Sequence, residues 1–200
     1  MDEFLRFFLP IYWILFFCVV LFFRTYVVWR RTGFNAYKSL IQSGVHGVIV
    51  FYNKSMPVIS TSVVIVYSFF PQYYFNLAPF PLFQHDAIAL LGVLFLLFSL
   101  GWIWFSQSQM GDVWRLAPKD ASADYLVSSG IFSRSRNPIF LGVKVNLIGI
   151  FLVLPNGVIF ALVVMGWVLL DVQVALEEEH LLSQHGESYK NYCSRVRRWI

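Results

Sequence analysis

One stretch of the chain determines its architecture: PIFLGVKVNLIGIFLVLPNGVIFALVVMGWVLLDVQVAL, residues 138–176. It contains two apolar runs, 138–154 and 158–176, separated only by Pro155-Asn156-Gly157. Pro, Asn and Gly in succession are typical of a tight turn. Each run approaches the roughly 20 residues that cross a bilayer as a helix. The stretch therefore predicts a transmembrane helical hairpin.

The composition of the whole chain agrees with a membrane environment. Of its 200 residues, 58% are hydrophobic and 13% are charged, whereas soluble domains are about 45–50% apolar and about 25% charged. This composition excludes a disordered tail, a secreted disulfide scaffold and an ordinary nucleic-acid module. The two cysteines, Cys18 and Cys193, lie at opposite ends of the chain without metal-ligand spacing.

Three further apolar runs precede the hairpin, at residues 7–28, 56–74 and 88–105. With the two hairpin runs they give about five spans. The mixed segment 33–54 is predicted to lie at the interface, and residues 177–200 to form a partly amphipathic helix there. We expect one membrane domain, with N-terminal transmembrane helices over 1–105 and a functional core over 106–200.

Lysine and arginine are distributed unevenly among the connections. They are concentrated in residues 24–54, 106–137 and 190–198, and are absent from 71–86 and 155–157. Because basic residues favour the cytoplasmic side, the N-terminus is expected outside and the C-terminus inside. The sequence thus predicts an all-α integral membrane protein of about five transmembrane helices, with a late helical hairpin and a cytoplasmic C-terminal amphipathic helix.

The acidic run Glu177-Glu178-Glu179-His180 follows the last span. It has two interpretations: a solvated cap where the helix leaves the membrane, or a cation site. Three neighbouring carboxylates repel one another, so the cluster favours a cation. Arg134, Arg136, the arginines of the tail or a cationic ligand could supply it.

Asn137 precedes Pro138 at the start of the hairpin. Proline suits the first turn of a helix, and asparagine suits the N-cap. The segment is either a capped helix start or, with Arg136 beside the unpaired backbone N–H groups, a site for a carboxylate. Within the spans, Asp171 is expected to pair with Lys144 or a nearby polar group; the alternative is a proton-relay residue.

The run LVSSGIFSRSRNPIFLG (126–142), the hairpin and the tail EEEHLLSQHGESYKNYCSRVRRWI (177–200) together resemble the isoprenylcysteine carboxyl methyltransferase family. That group of integral-membrane methyltransferases extends to membrane phospholipid methyltransferases. The resemblance covers residues 107–200. It implies S-adenosylmethionine as methyl donor, bound at the cytosolic side between the loop before the hairpin and the helix after it.

The resemblance also implies roles for individual residues. Glu177 would bind the amino group of the donor, the start of the helix at Asn137 would face its carboxylate, and Phe132, Phe140 or Trp114 would meet its sulfonium. The positions assigned to the cofactor are Gln109, Tyr125, Leu126, Val127, Gly130, Phe132, Asn137, Pro138, Ile139, Phe140, Glu177 and Glu178. Those assigned to catalysis are Gln173, Glu177 and Arg136.

Four positions depart from the family pattern. Asn137 replaces His, Phe140 replaces Tyr, His185 stands where the family usually has Phe, and Gln173 replaces the Arg of enzymes that act on prenylcysteine. Glutamine cannot pair a carboxylate bidentately as arginine does. The expected acceptor is therefore a lipophilic molecule from the bilayer, either like an isoprenylcysteine carboxylate or of another kind. A small transporter, an accessory or scaffold subunit and a related membrane reductase are the alternatives.

Overall fold

The computed structural model describes residues 1–23, 45–110 and 126–200, and every regular element in these ranges is helical. Tyr125, Trp114 and the larger part of the predicted interfacial segment 33–54 lie outside the described residues. The division of the chain at residue 105 stays a prediction.

Six α-helices follow one another along the described chain. They are α1 (Asp2–Phe17), which continues as a π-helical segment (Cys18–Phe23), α2 (Val45–Phe69), α3 (Asp86–Met110), α4 (Pro138–Val153), α5 (Gly157–His185) and α6 (Glu187–Arg195). Short 3-10 helices cover Pro71–Leu77, Pro81–Phe83 and Gly130–Ser133.

Three of the described helices are long and apolar enough to cross a membrane, within Asp2–Val20, Asp86–Met110 and Gly157–His185. The apolar parts Lys54–Phe69 and Pro138–Val153 are shorter. The prediction of about five spans is therefore confirmed for three helices. In α5 the apolar residues 157–176 are enough to cross about 30 Å, and the polar residues 177–185 extend beyond them.

The hairpin is present as predicted, but two neighbouring predictions are wrong in their bounds. Helix α2 begins at Val45 and ends at Phe69, whereas the hydropathy pattern placed this span at 56–74. Pro71 begins a 3-10 helix after it. The acidic run does not open a separate tail helix, because α5 continues to His185 and α6 follows only after Gly186.

Close packing joins α3 to the hairpin. A Cβ on Gly92 would lie 2.7 Å from Cγ2 of Val153 and 2.9 Å from the carbonyl oxygen of Gly149. Only glycine lets the two helices approach this closely, as is common between membrane helices. Helix α1 is attached through polar contacts, since Asn146 donates to the Tyr12 hydroxyl at 2.8 Å and Tyr12 to the Leu96 carbonyl at 3.0 Å.

The turn of the hairpin is tied to the connection between α2 and α3. The Gly157 amide donates to the Ala78 carbonyl at 2.9 Å, and the Phe80 amide to the Pro155 carbonyl at 2.8 Å. At the opposite end, the indole of Trp102 donates to the Pro138 carbonyl at 2.8 Å. The hairpin thus has a turn end, at residues 155–157, and an open end, where α4 begins and α5 emerges.

Between these ends, Lys144 of α4 pairs with Asp171 of α5, with 2.6 Å between Nζ and Oδ1. The predicted pairing is confirmed.

Candidate active site

The open end of the hairpin brings together the two motifs that the sequence singled out. Asn137 precedes α4, and Glu178 lies in the polar last part of α5; the Nδ2 atom of Asn137 donates to Oε1 of Glu178 at 3.0 Å. The two residues are 41 positions apart in sequence. The predicted meeting of the loop before the hairpin with the glutamates after it is present in the structure.

Glu178 is fully engaged by its neighbours. Its Oε1 also accepts from Nε of Arg136 at 3.1 Å, and its Oε2 accepts from Nε and Nη2 of Arg198 at 3.1 and 2.7 Å. Burial alone would raise the pKa of Glu178, but hydrogen bonds from Arg198 and Arg136 outweigh it and hold that pKa below its ordinary value. Glu178 is therefore an ionised structural centre.

Arg136 is held on both sides. Besides Glu178, its Nη1 donates to the Val196 carbonyl at 2.8 Å and to the Cys193 carbonyl at 3.3 Å. Its backbone amide donates to the Arg197 carbonyl at 3.0 Å. Arg136 therefore joins the hairpin to the tail, in a cluster with Glu178 and Arg198 that we call the clamp. Its predicted catalytic role stays a prediction.

Glu177 differs from its neighbour. It is half-buried, and no residue in the described ranges forms an ion pair or hydrogen bond with its carboxylate. Burial, followed by the adjacent charge of Glu178, raises the pKa of Glu177 from 4.5 to about 7. A carboxylate in this state gains most from a cation, because a nearby positive charge would offset the cost of its desolvation.

The first turn of α4 is also incomplete. Asn137 occupies the predicted N-cap position, but its side chain caps no backbone amide of the helix because it reaches Glu178 instead. The hydroxyl of Ser135 accepts from the amide of Asn137 itself at 3.2 Å. The early N–H groups of α4, at the half-buried Ile139 and Phe140, have no acceptor in the part of the chain that the structure describes. Helix starts commonly offer such groups at anion sites.

Gln109 and Gly130, both predicted at the cofactor, contact each other. Oε1 of Gln109 accepts from the Ile131 amide at 2.6 Å. Gly130 has φ +62°, and a Cβ there would collide with the Gln109 side-chain amide. Glycine is thus required both for the backbone conformation and for the space. The pair fixes the 3-10 turn that precedes Phe132.

The remaining predicted residues of the loop pack toward α6. Phe132 is buried, and its carbonyl accepts from the Tyr192 hydroxyl at 2.6 Å. Leu126 packs on the buried cluster of Tyr189, Tyr192 and Val196, and Val127 is half-buried. Burial is the largest cause that raises the pKa of Tyr192 to about 12, so its hydroxyl remains a donor at neutral pH.

Gln173 lies one helical turn before Glu177 on α5. A spacing of four residues places both on one face of the helix, and Gln173 is half-buried.

Three residues near the site were not predicted from the sequence. Ser135 and Trp102 fix the start of α4, and Trp199 lies over Lys144. Trp102 and Trp199 belong to aromatic positions near span ends, a weak signal, and nothing in the pattern distinguishes Ser135 from Ser133.

The open end thus combines an acid for a cation with helix amides for an anion, neither of which has a partner among residues 1–23, 45–110 and 126–200. Within the described ranges, no group of three His, Cys, Asp or Glu side chains could hold a metal ion. The arrangement suits a zwitterionic organic molecule.

Comparison with known proteins agrees with these motifs. The family model for phospholipid methyltransferases matches residues 87–188, slightly more than half of the chain, and the match includes the hairpin and Glu177–Glu178. No curated protein matches the chain at a significant level. The chain therefore belongs to the phospholipid methyltransferase family, within the wider group of membrane methyltransferases that its sequence resembles.

Proposed function

We propose that the chain is an integral-membrane enzyme that transfers a methyl group from S-adenosylmethionine to a lipophilic acceptor. The observation that carries the proposal is the contrast at the open end. Glu178 is saturated by Asn137, Arg136 and Arg198, while the adjacent Glu177 is half-buried and without a partner among the described residues. A structural acidic cap would show no such division.

The residues of the open end fit the donor group by group. The amino acid part of S-adenosylmethionine carries an ammonium and a carboxylate. Glu177 would hold the ammonium, and the uncapped first turn of α4 would face the carboxylate with its N–H groups. Phe140, in the same turn, would offer a ring face to the sulfonium, a contact worth about 0.5–2 kcal/mol.

When bound, the donor would supply an electrophilic methyl group: a lone pair of the acceptor would bond to the methyl carbon in line as the C–S bond breaks, and S-adenosylhomocysteine would leave with the electron pair of that bond. The protein forms no covalent intermediate in such a transfer. Its residues have to hold two molecules in line and exclude water. The clamp of Glu178, Arg136 and Arg198 supports this by fixing the two sides of the site relative to each other. Phe132, buried behind it, keeps water out.

The acceptor is proposed to approach through the membrane. An apolar cleft of about 160 Å³ lies between α1, α2, α4 and α5, and Gly166 and Leu170 of α5 line it. Gln173 and Glu177 continue the same face of α5 by steps of three and four residues. A hydrocarbon chain in the cleft would direct its polar head toward Gln173, and an uncharged amide there favours an acceptor head without a carboxylate.

The distribution of Lys and Arg supports a cytoplasmic position for the open end. The clamp contributes Arg136 and Arg198, and the turn end contains neither Lys nor Arg within residues 155–157. A soluble donor would then reach the site from the cytosol.

Thermal unfolding of the detergent-purified protein tests the proposal. S-adenosylmethionine should stabilise the wild type by several degrees, and Glu177→Gln should abolish this shift while retaining the melting temperature of the free protein. The melting temperature of the free protein should not fall in this variant. Because burial raises the pKa of Glu177, the ionised carboxylate destabilises the folded protein, and an uncharged glutamine removes that cost. The matched control is Glu179→Gln, which alters an exposed neighbouring acid and should keep the shift. A shift that is absent in the wild type would contradict the proposal and favour the scaffold alternative.

A further inference from the structure

The last five residues, 196–200, return to the hairpin; we refer to them as the C-terminal segment. The Arg197 carbonyl accepts from the Arg136 amide at 3.0 Å, and the Arg198 carbonyl accepts from the Ser135 hydroxyl at 3.4 Å. The Arg198 guanidinium pairs with Glu178. The C-terminal segment is thus one wall of the candidate site.

A second anchor holds this segment deeper along the hairpin. The Trp199 ring lies over the Lys144 ammonium, with 3.8 Å between Nζ and the ring centroid. Lys144 is six residues past Pro138, or about 9 Å along α4. Trp199 therefore reaches toward the level at which tryptophan is enriched in membrane proteins.

The anchor is built from α4 and α5 as well as from the segment. The Lys144 side chain is only 6% exposed, and it is neutralised by Asp171 at 2.6 Å. Trp167 of α5 offers a second ring, 4.8 Å from Nζ. A buried ammonium between two ring faces and a carboxylate is a defined binding site for the Trp199 ring, because the carboxylate and the π faces of the rings all attract a cation.

We propose that Lys144 and Trp199 are positioning residues for the donor site, an inference that rests on the proposed function. By seating Trp199, Lys144 fixes the C-terminal segment so that Arg198 stays on Glu178 and the Arg197 carbonyl stays on Arg136. This keeps the arginines of the clamp away from Glu177 and leaves that carboxylate for the cationic donor. Neither positioning residue touches the donor itself.

Lys144→Met tests the inference without altering the sequence of the segment. The rate at which a carboxypeptidase removes residues from the C-terminal end of the 200-residue chain, followed by mass spectrometry, reports whether the segment is held in place. The dissociation constant of S-adenosylmethionine reports the donor site. In Lys144→Met, trimming should be at least fivefold faster and donor binding at least fivefold weaker. Lys144→Arg, which keeps the cation, should restore both.

The matched control is Trp104→Leu, which removes an exposed tryptophan ring of α3 outside the anchor and should leave both readouts near the wild type. If Lys144→Met does not fold, the dissociation constant of S-adenosylmethionine is measured in Trp199→Leu instead. Wild-type trimming in Lys144→Met would overturn the anchor. Faster trimming with unchanged donor affinity would overturn the positioning role while leaving the proposed function intact. Absence of donor binding in the wild type would instead remove the proposed function, and the trimming rates would still decide whether the anchor exists.

Discussion

The two ends of the hairpin each begin a helix with asparagine, yet they are completed differently. At the turn end, Oδ1 of Asn156 accepts from the Ile159 amide at 3.0 Å, as an N-cap should, and its Nδ2 donates to the Leu154 carbonyl at 3.1 Å. At the open end, the Asn137 side chain leaves the first turn of α4 uncapped and donates to Glu178.

This difference indicates that the turn end has a structural role, whereas the open end could bind a ligand. The turn end satisfies its polar groups within the protein, by bonds inside the turn and to the connection between α2 and α3, as a membrane protein must where lipid offers no hydrogen bonds. At the open end, Asn137, Arg136 and Arg198 all bind Glu178. Glu177 and the first turn of α4 are left without partners in the described chain. The carboxylate of Glu177 favours a cation, and the N–H groups at the start of α4 favour an anion. A ligand that carries both charges best explains why these groups lie at the same end of the hairpin without partners in the described chain.

The largest expected effect on stability is at the clamp. Glu178→Gln removes the charge that holds Arg136 and Arg198 and should lower the free energy of unfolding by about 2–3 kcal/mol, measured by thermal unfolding in detergent near neutral pH. Because the pKa of Glu178 is lowered by its partners, the wild type should lose this contribution as the pH falls through that pKa, below the ordinary value of 4.5.

Glu187→Gln is the control for this change. Its partner is Lys190 at 2.6 Å, but both side chains are largely exposed, and exposed pairs contribute less than about 1 kcal/mol. Equal losses in the two variants would contradict the assignment of Glu178 as a structural centre.

A smaller effect is expected at the loop. Gly130→Ala forces a side chain into a left-handed conformation, which costs about 1–2 kcal/mol, and displaces Gln109 from the Ile131 amide. We expect a modest fall in melting temperature and a clear loss of donor affinity, measured together by unfolding with and without S-adenosylmethionine. Unchanged donor affinity would exclude the Gly130 turn from the site.

The smallest expected effect contrasts the two asparagines directly. Asn156→Ala removes an N-cap and should cost about 1 kcal/mol of stability with no change in donor affinity. Asn137→Ala removes no cap, but it removes a hydrogen bond to the half-buried Glu178, so it should also cost about 1 kcal/mol and, unlike Asn156→Ala, weaken donor binding several-fold. Equal donor affinity in the two variants would contradict the comparison of the two helix starts.

Much of the hairpin and of the candidate site can be predicted from the sequence. The hairpin follows from two apolar runs around Pro155-Asn156-Gly157, and the Lys144–Asp171 pair follows from the lack of other charges at that depth. The meeting of Asn137 with the glutamates follows from the length of the hairpin, since two apolar runs of similar length, 138–154 and 158–176, return the chain to the same end. These are consequences of pattern and chain geometry.

Other features depend on tertiary contacts that no local pattern encodes. Adjacent and identical, Glu177 and Glu178 differ only because the clamp reaches one of them. Gln109 was assigned to the cofactor, yet its carbonyl oxygen meets the Ile131 amide 22 residues away. The extension of α5 to His185 could have been predicted more closely, because no Gly or Pro interrupts the chain between residues 167 and 185.

The most direct test of the central claim is the affinity for radiolabelled S-adenosylmethionine, measured by equilibrium dialysis at pH 6.0 and pH 7.5. With a pKa of about 7, Glu177 is mostly protonated at the lower pH and mostly ionised at the higher, while an α-amino group, with a pKa of about 7.7–8.0, stays largely protonated. The wild type should bind about five- to tenfold more tightly at pH 7.5, and Glu177→Gln should bind weakly at both. Wild-type affinity in Glu177→Gln at pH 7.5 would contradict the assignment of Glu177 to the ammonium of the donor.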